Sequence, residues 1–136
     1  MNILVVEDDF VSRRLLCRYL EGFGKCDVAI NGNEAVAAVH ESLHEQNPYE
    51  LICLDIMMPG KSGHEALTEI RALELEHGMA VGQGARVVMT TALEDHVNVR
   101  QAFKSSADGY VVKPIEKLKL LKLLEDLGLT RTVPGA

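Results

Sequence analysis

Apolar residues along the chain fall in short uninterrupted runs, separated by stretches of helical period. The runs predict strands at 2–7, 26–30, 51–55, 86–91 and 109–112. Apolar positions recurring every three or four residues predict helices at 11–22, 33–46, 64–77, 95–105 and 115–127. Leu51-Ile52-Cys53-Leu54 and Val87-Val88-Met89 do not alternate with polar residues. Strands of that kind are covered on both faces, the condition of a parallel sheet held between helical layers. Five strand–helix repeats with right-handed crossovers imply an α/β fold with a doubly wound, five-stranded parallel sheet.

Turn residues support this frame. Asn31-Gly32-Asn33 separates the second strand from its helix, Asn47-Pro48 stops that helix, and Pro59-Gly60 with Gly63 breaks the segment after the third strand. Gly78, Gly82 and Gly84 mark a loose loop before the fourth strand. One domain is expected over 1–128, followed by a flexible tail at 129–136.

Composition narrows the function. A charged fraction of 25% and a hydrophobic fraction of 47% are those of a folded globular chain. The net charge of −6 leaves no basic patch for nucleic acid or an anionic membrane. No apolar run reaches the length of a membrane span, and the N-terminus lacks a basic, apolar leader, so a cytoplasmic location is expected. Cys17, Cys26 and Cys53 make no disulfide framework and read as small hydrophobes in a reducing compartment. A redox role is suggested only faintly, by Cys26 next to Lys25.

Candidate chemistry sits at the strand ends. Glu7, Asp8 and Asp9 close the first strand, and Asp55 closes the third. Unit charges ~4 Å apart repel by ~4 kcal/mol at an effective dielectric of ~20. Carboxylates brought together there need a cation, and a hard divalent ion such as Mg2+ suits oxygen ligands. In open sheets of this kind, ligands bind beyond the carboxyl ends of the strands, where strand order reverses. Thr90-Thr91 and Lys113 stand at two further strand ends, so acid, acid, hydroxyl and amine converge on one crevice.

These residues carry a family resemblance. Val5-Val6-Glu7-Asp8-Asp9, Leu54-Asp55-Ile56-Met57-Met58-Pro59-Gly60, Met89-Thr90-Thr91-Ala92 and Gly109-Tyr110-Val111-Val112-Lys113-Pro114 occur in order, each at a strand end. Over nearly its whole length the chain resembles the receiver domain of two-component response regulators, in its stand-alone, chemotaxis-regulator-like form. The resemblance implies a (βα)5 flavodoxin-like fold with strand order 2-1-3-4-5. It implies Asp55 as phosphoryl acceptor, with Glu7, Asp8, Asp55 and the backbone carbonyl of Met57 holding Mg2+ or Mn2+. Thr91 and Lys113 would bind phosphoryl oxygens, Thr91 and Tyr110 would act as switch residues, and the Lys113-Pro114 peptide would be cis.

The resemblance further implies a switch or relay protein rather than a turnover enzyme on an outside substrate. Its donor would be a sensor histidine kinase or phosphotransfer protein. Its reader would be an unidentified downstream protein or a second copy of the chain, docked on the last two strands and the helices at 95–105 and 115–127. Leu120, Leu121, Leu123, Leu124 and Leu127 on that last helix suit either the core or such an interface. Met57 and Leu93, bulky and apolar beside the path of water to the acceptor, suggest slow hydrolysis of the phosphorylated state. Two other readings are an interaction module that is never phosphorylated, and a flavodoxin-type cofactor binder. The acid set argues against the first, and an acidic loop repelling a flavin phosphate argues against the second.

His40-Glu41-Ser42-Leu43-His44 spells the H-E-x-x-H pattern of zinc hydrolases. It falls late in the second helix, away from the crevice, and the sequence shows no third ligand, so these histidines read as solvated surface. Helix two and the loop at 79–84 both look extended relative to a minimal receiver.

Overall fold

The computed structural model of the chain describes residues 1–92 and 107–131. Its apolar runs form strands β1 (Asn2–Val6), β2 (Lys25–Ala29), β3 (Leu51–Asp55), β4 (Arg86–Ala92) and β5 (Gly109–Lys113). Its amphipathic stretches form helices α1 (Phe10–Tyr19), α2 (Gly32–His44), α3 (Gly63–Glu76) and α4 (Lys117–Asp126). The helix expected at 95–105, Leu93 and the chain beyond 131 lie outside the described residues. The sheet runs β2-β1-β3-β4-β5 with every pair parallel, the doubly wound order expected.

Strand β3 lies at the centre and all five of its residues are buried. Side chains alternate between the sheet's two faces, and each face has its own core. Leu4, Val6, Ile52, Leu54, Val87 and Met89 pack against Val39 and Leu43 of α2 and Leu67 and Ile70 of α3. Ile3, Val5, Leu51, Cys53, Val88 and Val111 pack against Leu16 and Leu20 at the end of α1 and Leu120 and Leu124 of α4. Leu121, Leu123 and Leu127 pack against that second core as well, so all five leucines singled out on the last helix turn inward. Leu118 is the one that faces solvent, at 80% exposure. Leu129, placed in the tail by sequence, also packs against this core.

Helix ends explain where the sequence boundaries shift. The sequence carries the first helix to 22, but α1 ends at Tyr19 and the chain tightens into a 3-10 turn over Glu21–Phe23 that buries Phe23. The second helix, expected to run to 46, ends at His44. Gln46 takes φ 59°, the Gln46 amide donates to Leu43 O at 3.1 Å, and the Asn47 amide donates to Ser42 O at 2.9 Å. That pair of bonds is a Schellman stop. The same stop ends α3 at Gly78 (φ 83°) and α4 at Gly128 (φ 81°), where glycine adopts the left-handed turn without a Cβ clash.

The amino ends of β4 and β5 are tied to α3 by a charged network that sequence reading missed. The carboxylate of Glu74, buried in α3, accepts from the Ala85 amide at 2.7 Å and from Arg71 Nη1 at 2.8 Å. Arg71 Nη2 donates to Asp108 Oδ2 at 3.2 Å, and that oxygen also accepts from the Val87 amide at 2.8 Å. The Asp108 amide in turn donates to Val87 O at 2.8 Å. No described helix is long and apolar enough to cross a membrane.

Candidate functional site

The site lies at the carboxyl ends of β1, β3 and β5, on the side where strand order reverses between β1 and β3. Val5, Cys53 and Val111 point into the α1–α4 core. Two residues further along each strand, Glu7, Asp55 and Lys113 continue the same face beyond the layer of apolar packing. The ladder runs on past the strands, since the Glu7 amide donates to Ala29 O at 3.1 Å and the Ile56 amide to Thr90 O at 3.0 Å. Backbone pairing on both sides therefore fixes where the acids stand.

Glu7, Asp8 and Asp55 each bring a carboxylate oxygen within 4.8 Å of the others. Glu7 is fully buried, Asp55 is 3% exposed, and Asp8 faces solvent. Lys113 Nζ lies 2.9 Å from Glu7 Oε2 and 3.3 Å from Asp55 Oδ2. Lys113 is the one cation that Glu7 Oε2 meets among the described residues. Glu7 Oε1 accepts from the Asp9 amide at 3.1 Å, and Asp55 Oδ1 accepts from the Met57 amide at 3.3 Å. One ammonium thus serves the two buried carboxyl groups of a cluster of three.

The electrostatics follow from that imbalance. Burial pushes Glu7 up to about 7; Lys113 pulls it down and the charge of Asp55 pushes it up. Burial also raises Asp55, against the pull of Lys113. For Lys113, burial disfavours the charged form, but Glu7 and Asp55 outweigh it and hold the ammonium above its usual value. A pocket in which both buried acids resist ionisation, and a single ammonium is shared between them, fits a hard divalent cation. Glu7, Asp8 and Asp55 supply the oxygens such an ion prefers.

The remaining predicted residues are placed unevenly. The Lys113–Pro114 peptide is cis. Thr91 is fully buried, and its hydroxyl donates to Ala92 O at 3.2 Å rather than to a carboxylate of the cluster. Tyr110 is half-buried against the α2–α3 core, beside Met89 in strand register. The Met57 side chain is 62% exposed at the rim.

Asp9, the third acid of the run, caps a helix instead of joining the cluster: its Oδ2 accepts from the Ser12 amide at 2.9 Å at the start of α1. That bond lowers the Asp9 pKa. An aspartate directly before a helical stretch is the sequence signal for such a cap.

Two contributors escaped sequence reading. Arg13 Nη1 of α1 donates to Glu7 O at 2.9 Å and so holds the backbone of the buried acid. Gly63 opens α3 directly against β3, its amide donating to Ile56 O at 2.9 Å. A Cβ there would run into the Asp55 carbonyl. The thiols stay inert: burial pushes both Cys26 and Cys53 up to about 12, away from the thiolate a redox site needs.

Comparison with known proteins agrees with this geometry. Residues 3–125 match the family model "Response regulator receiver domain". The chain is 38% identical over 125 residues to the regulatory protein VanRB of Enterococcus faecalis, covering 92% of this chain and 50% of VanRB. It is 34% identical over 127 residues to the chemotaxis protein CheY of Halobacterium salinarum, covering 93% of this chain and 95% of CheY. The chain therefore spans about half of the first relative and nearly all of the second.

Among solved structures, Vibrio cholerae CheY4 superposes with a TM-score of 0.74 at 25% identity, covering 92% of this chain and 96% of CheY4. The receiver domain of the Arabidopsis thaliana histidine kinase CKI1, solved with Mg2+, superposes with a TM-score of 0.80 at 23% identity, covering 93% and 90%. With the fold, the acid cluster and the family model in agreement, the chain belongs to the response regulator receiver domain family.

Proposed function

We propose that this chain accepts a phosphoryl group on Asp55 and passes the signal on through the faces of β4, β5 and α4. The observation that carries the reading is the cluster of Glu7, Asp8 and Asp55 within 4.8 Å, with Lys113 paired to two of them. The donor is a sensor histidine kinase or a phosphotransfer protein. An Asp55 oxygen attacks phosphorus, the P–N bond to the donor imidazole breaks, and the imidazole keeps the electron pair and takes up a proton. Such a transfer depends on positioning and charge neutralisation more than on covalent help.

Each side chain then has a task. Glu7, Asp8, Asp55 and the Met57 carbonyl hold Mg2+, or Mn2+ in its place. That ion supplies positive charge against the phosphoryl oxygens. Lys113 moves from Glu7 toward the new phosphoryl group, as a compact charge on a flexible stem can. Thr91 trades its bond to Ala92 O for one to a phosphoryl oxygen, and Tyr110 repacks with it.

The unit that does this is residues 1–128, working in the cytoplasm on its own acyl phosphate rather than on an outside substrate. A downstream protein or a second copy reads the altered face. Leu120, Leu121, Leu123, Leu124 and Leu127 pack inward, so Leu118 and the edge of β5 are what α4 and β5 offer such a reader.

Incubation with acetyl phosphate and Mg2+, followed by intact mass, tests the reading. A gain of one phosphoryl group that disappears in Asp55→Ala and in chelator is expected. No gain in a folded, Mg2+-loaded protein would leave a receiver fold that works by binding alone.

A further inference from the structure

The histidines set aside in the sequence acquire a neighbour in the fold. His40 and His44 lie one helical turn apart on α2, both exposed, so their side chains share one face. His77, which caps the C-terminus of α3, is exposed too and meets His40 edge-on, with ring centroids 6.3 Å apart and planes at 86°. The two helices are held together beneath these rings by Val39, Leu43, Leu67 and Ile70. The third ligand that the local sequence lacked is thus supplied from 33 positions further along the chain.

We propose that His40, His44 and His77 form a site for a first-row divalent ion with a preference for imidazole, Zn2+ in the first instance. Two imidazoles on one tetrahedral ion, bound at about 2 Å each, have centroids about 5 Å apart. His40 and His77 stand within roughly 1 Å of that spacing. His77 Nδ1 lies 2.9 Å from Leu73 O. A carbonyl can only accept, so Nδ1 carries the proton and Nε2 keeps its lone pair for a metal. A backbone bond of this kind also holds the ring's orientation, as outer partners do at metal-bound histidines.

Among the described residues, only the acidic trio already has three ligand atoms within 4.8 Å of one another. The histidine site is therefore one that the ion completes, by rotation of exposed rings whose helices do not move. Three imidazoles leave one coordination position for water or a donor from a partner. The consequence is a clamp between the carboxyl ends of α2 and α3, remote from the acids and without hydrolytic chemistry.

Calorimetric titration with Zn2+ in saturating Mg2+, which keeps the acid cluster occupied, tests this. One ion is expected to bind in the micromolar range, weakened about tenfold or more in each of His40→Ala, His44→Ala and His77→Ala. Asp55→Ala is expected to bind Zn2+ as the wild type does, which separates this site from the proposed phosphoryl site. Zn2+ should also raise the melting temperature of the wild type but not of His77→Ala. Binding weaker than about 1 mM, or binding that survives His77→Ala unchanged, would overturn the proposal.

Discussion

Lys113 Nζ lies closer to Glu7 than to Asp55, at 2.9 Å against 3.3 Å, so the lysine first neutralises the fully buried glutamate. In the metal-free protein this ammonium does part of the work of a divalent ion, and does it incompletely. Both acids stay above their usual range despite it.

Stability without metal should therefore rise as pH falls. Glu7 titrates near 4.5 when unfolded and at about 7 when folded. The native state holds the extra proton between those values, so the contribution is fully present below 4.5 and is lost as pH rises through 7. The shift is worth on the order of 3 kcal/mol, and the raised Asp55 acts in the same direction. Urea unfolding in chelator at about pH 5.5 and pH 8 should show the higher midpoint at the lower pH. Mg2+ should stabilise more at pH 8, where protons no longer compete. A metal-free protein equally stable at both values would contradict the burial of Glu7.

Removing the competing cation should tighten metal binding. Lys113→Met is expected to raise Mg2+ affinity several-fold, about 1 kcal/mol, while slowing phosphoryl acceptance from acetyl phosphate. Fluorescence or calorimetric titration gives the affinity, and intact mass the acceptance. Weaker Mg2+ binding in the variant would mean that Lys113 supports the ion instead of opposing it.

Gly63 should tolerate no side chain. Alanine favours helix over glycine, yet its Cβ would meet the Asp55 carbonyl at the first residue of α3. Gly63→Ala should cost about 1–3 kcal/mol by overpacking and slow acceptance at Asp55. Urea midpoint and phosphorylation rate check this together, and a variant unchanged in both would show that α3 has room to move.

The Met57 side chain, 62% exposed two residues past the proposed acceptor Asp55, offers water no hydrogen bond. Met57→Asn should speed decay of the phosphorylated state without changing how fast it forms. Decay followed by mass or by loss of radiolabel is the measurement. An unchanged half-life would assign the control of hydrolysis elsewhere.

Much of this was legible in residue order. Asp55 stood out because an acid at the end of an apolar central strand has no packing role there, and the parallel sheet followed from strands without alternation. What was not legible needs distance. That Lys113 reaches Glu7 depends on β1 and β5 presenting the same face, and the meeting of His77 with His40 depends on how α2 lies beside α3. Asp9 and the end of α2 are local misreadings. The helix cap was signalled by position, whereas a stop at Gln46 gave no signal, because glutamine rarely takes that turn.

The Glu74–Arg71–Asp108 network ties the amino ends of β4 and β5 to α3 in a way that their carboxyl ends do not share among the described residues. At Ala85, Val87 and Asp108 the strands are bolted to α3 by charge-assisted bonds. At Thr91 and Lys113 they end in side chains whose partners a new anion can replace. A beam fixed at its root and loaded at its tip deflects most where the load is applied. Whatever recognises the loaded state should therefore grip the tip, and the root should report the same shape in both states.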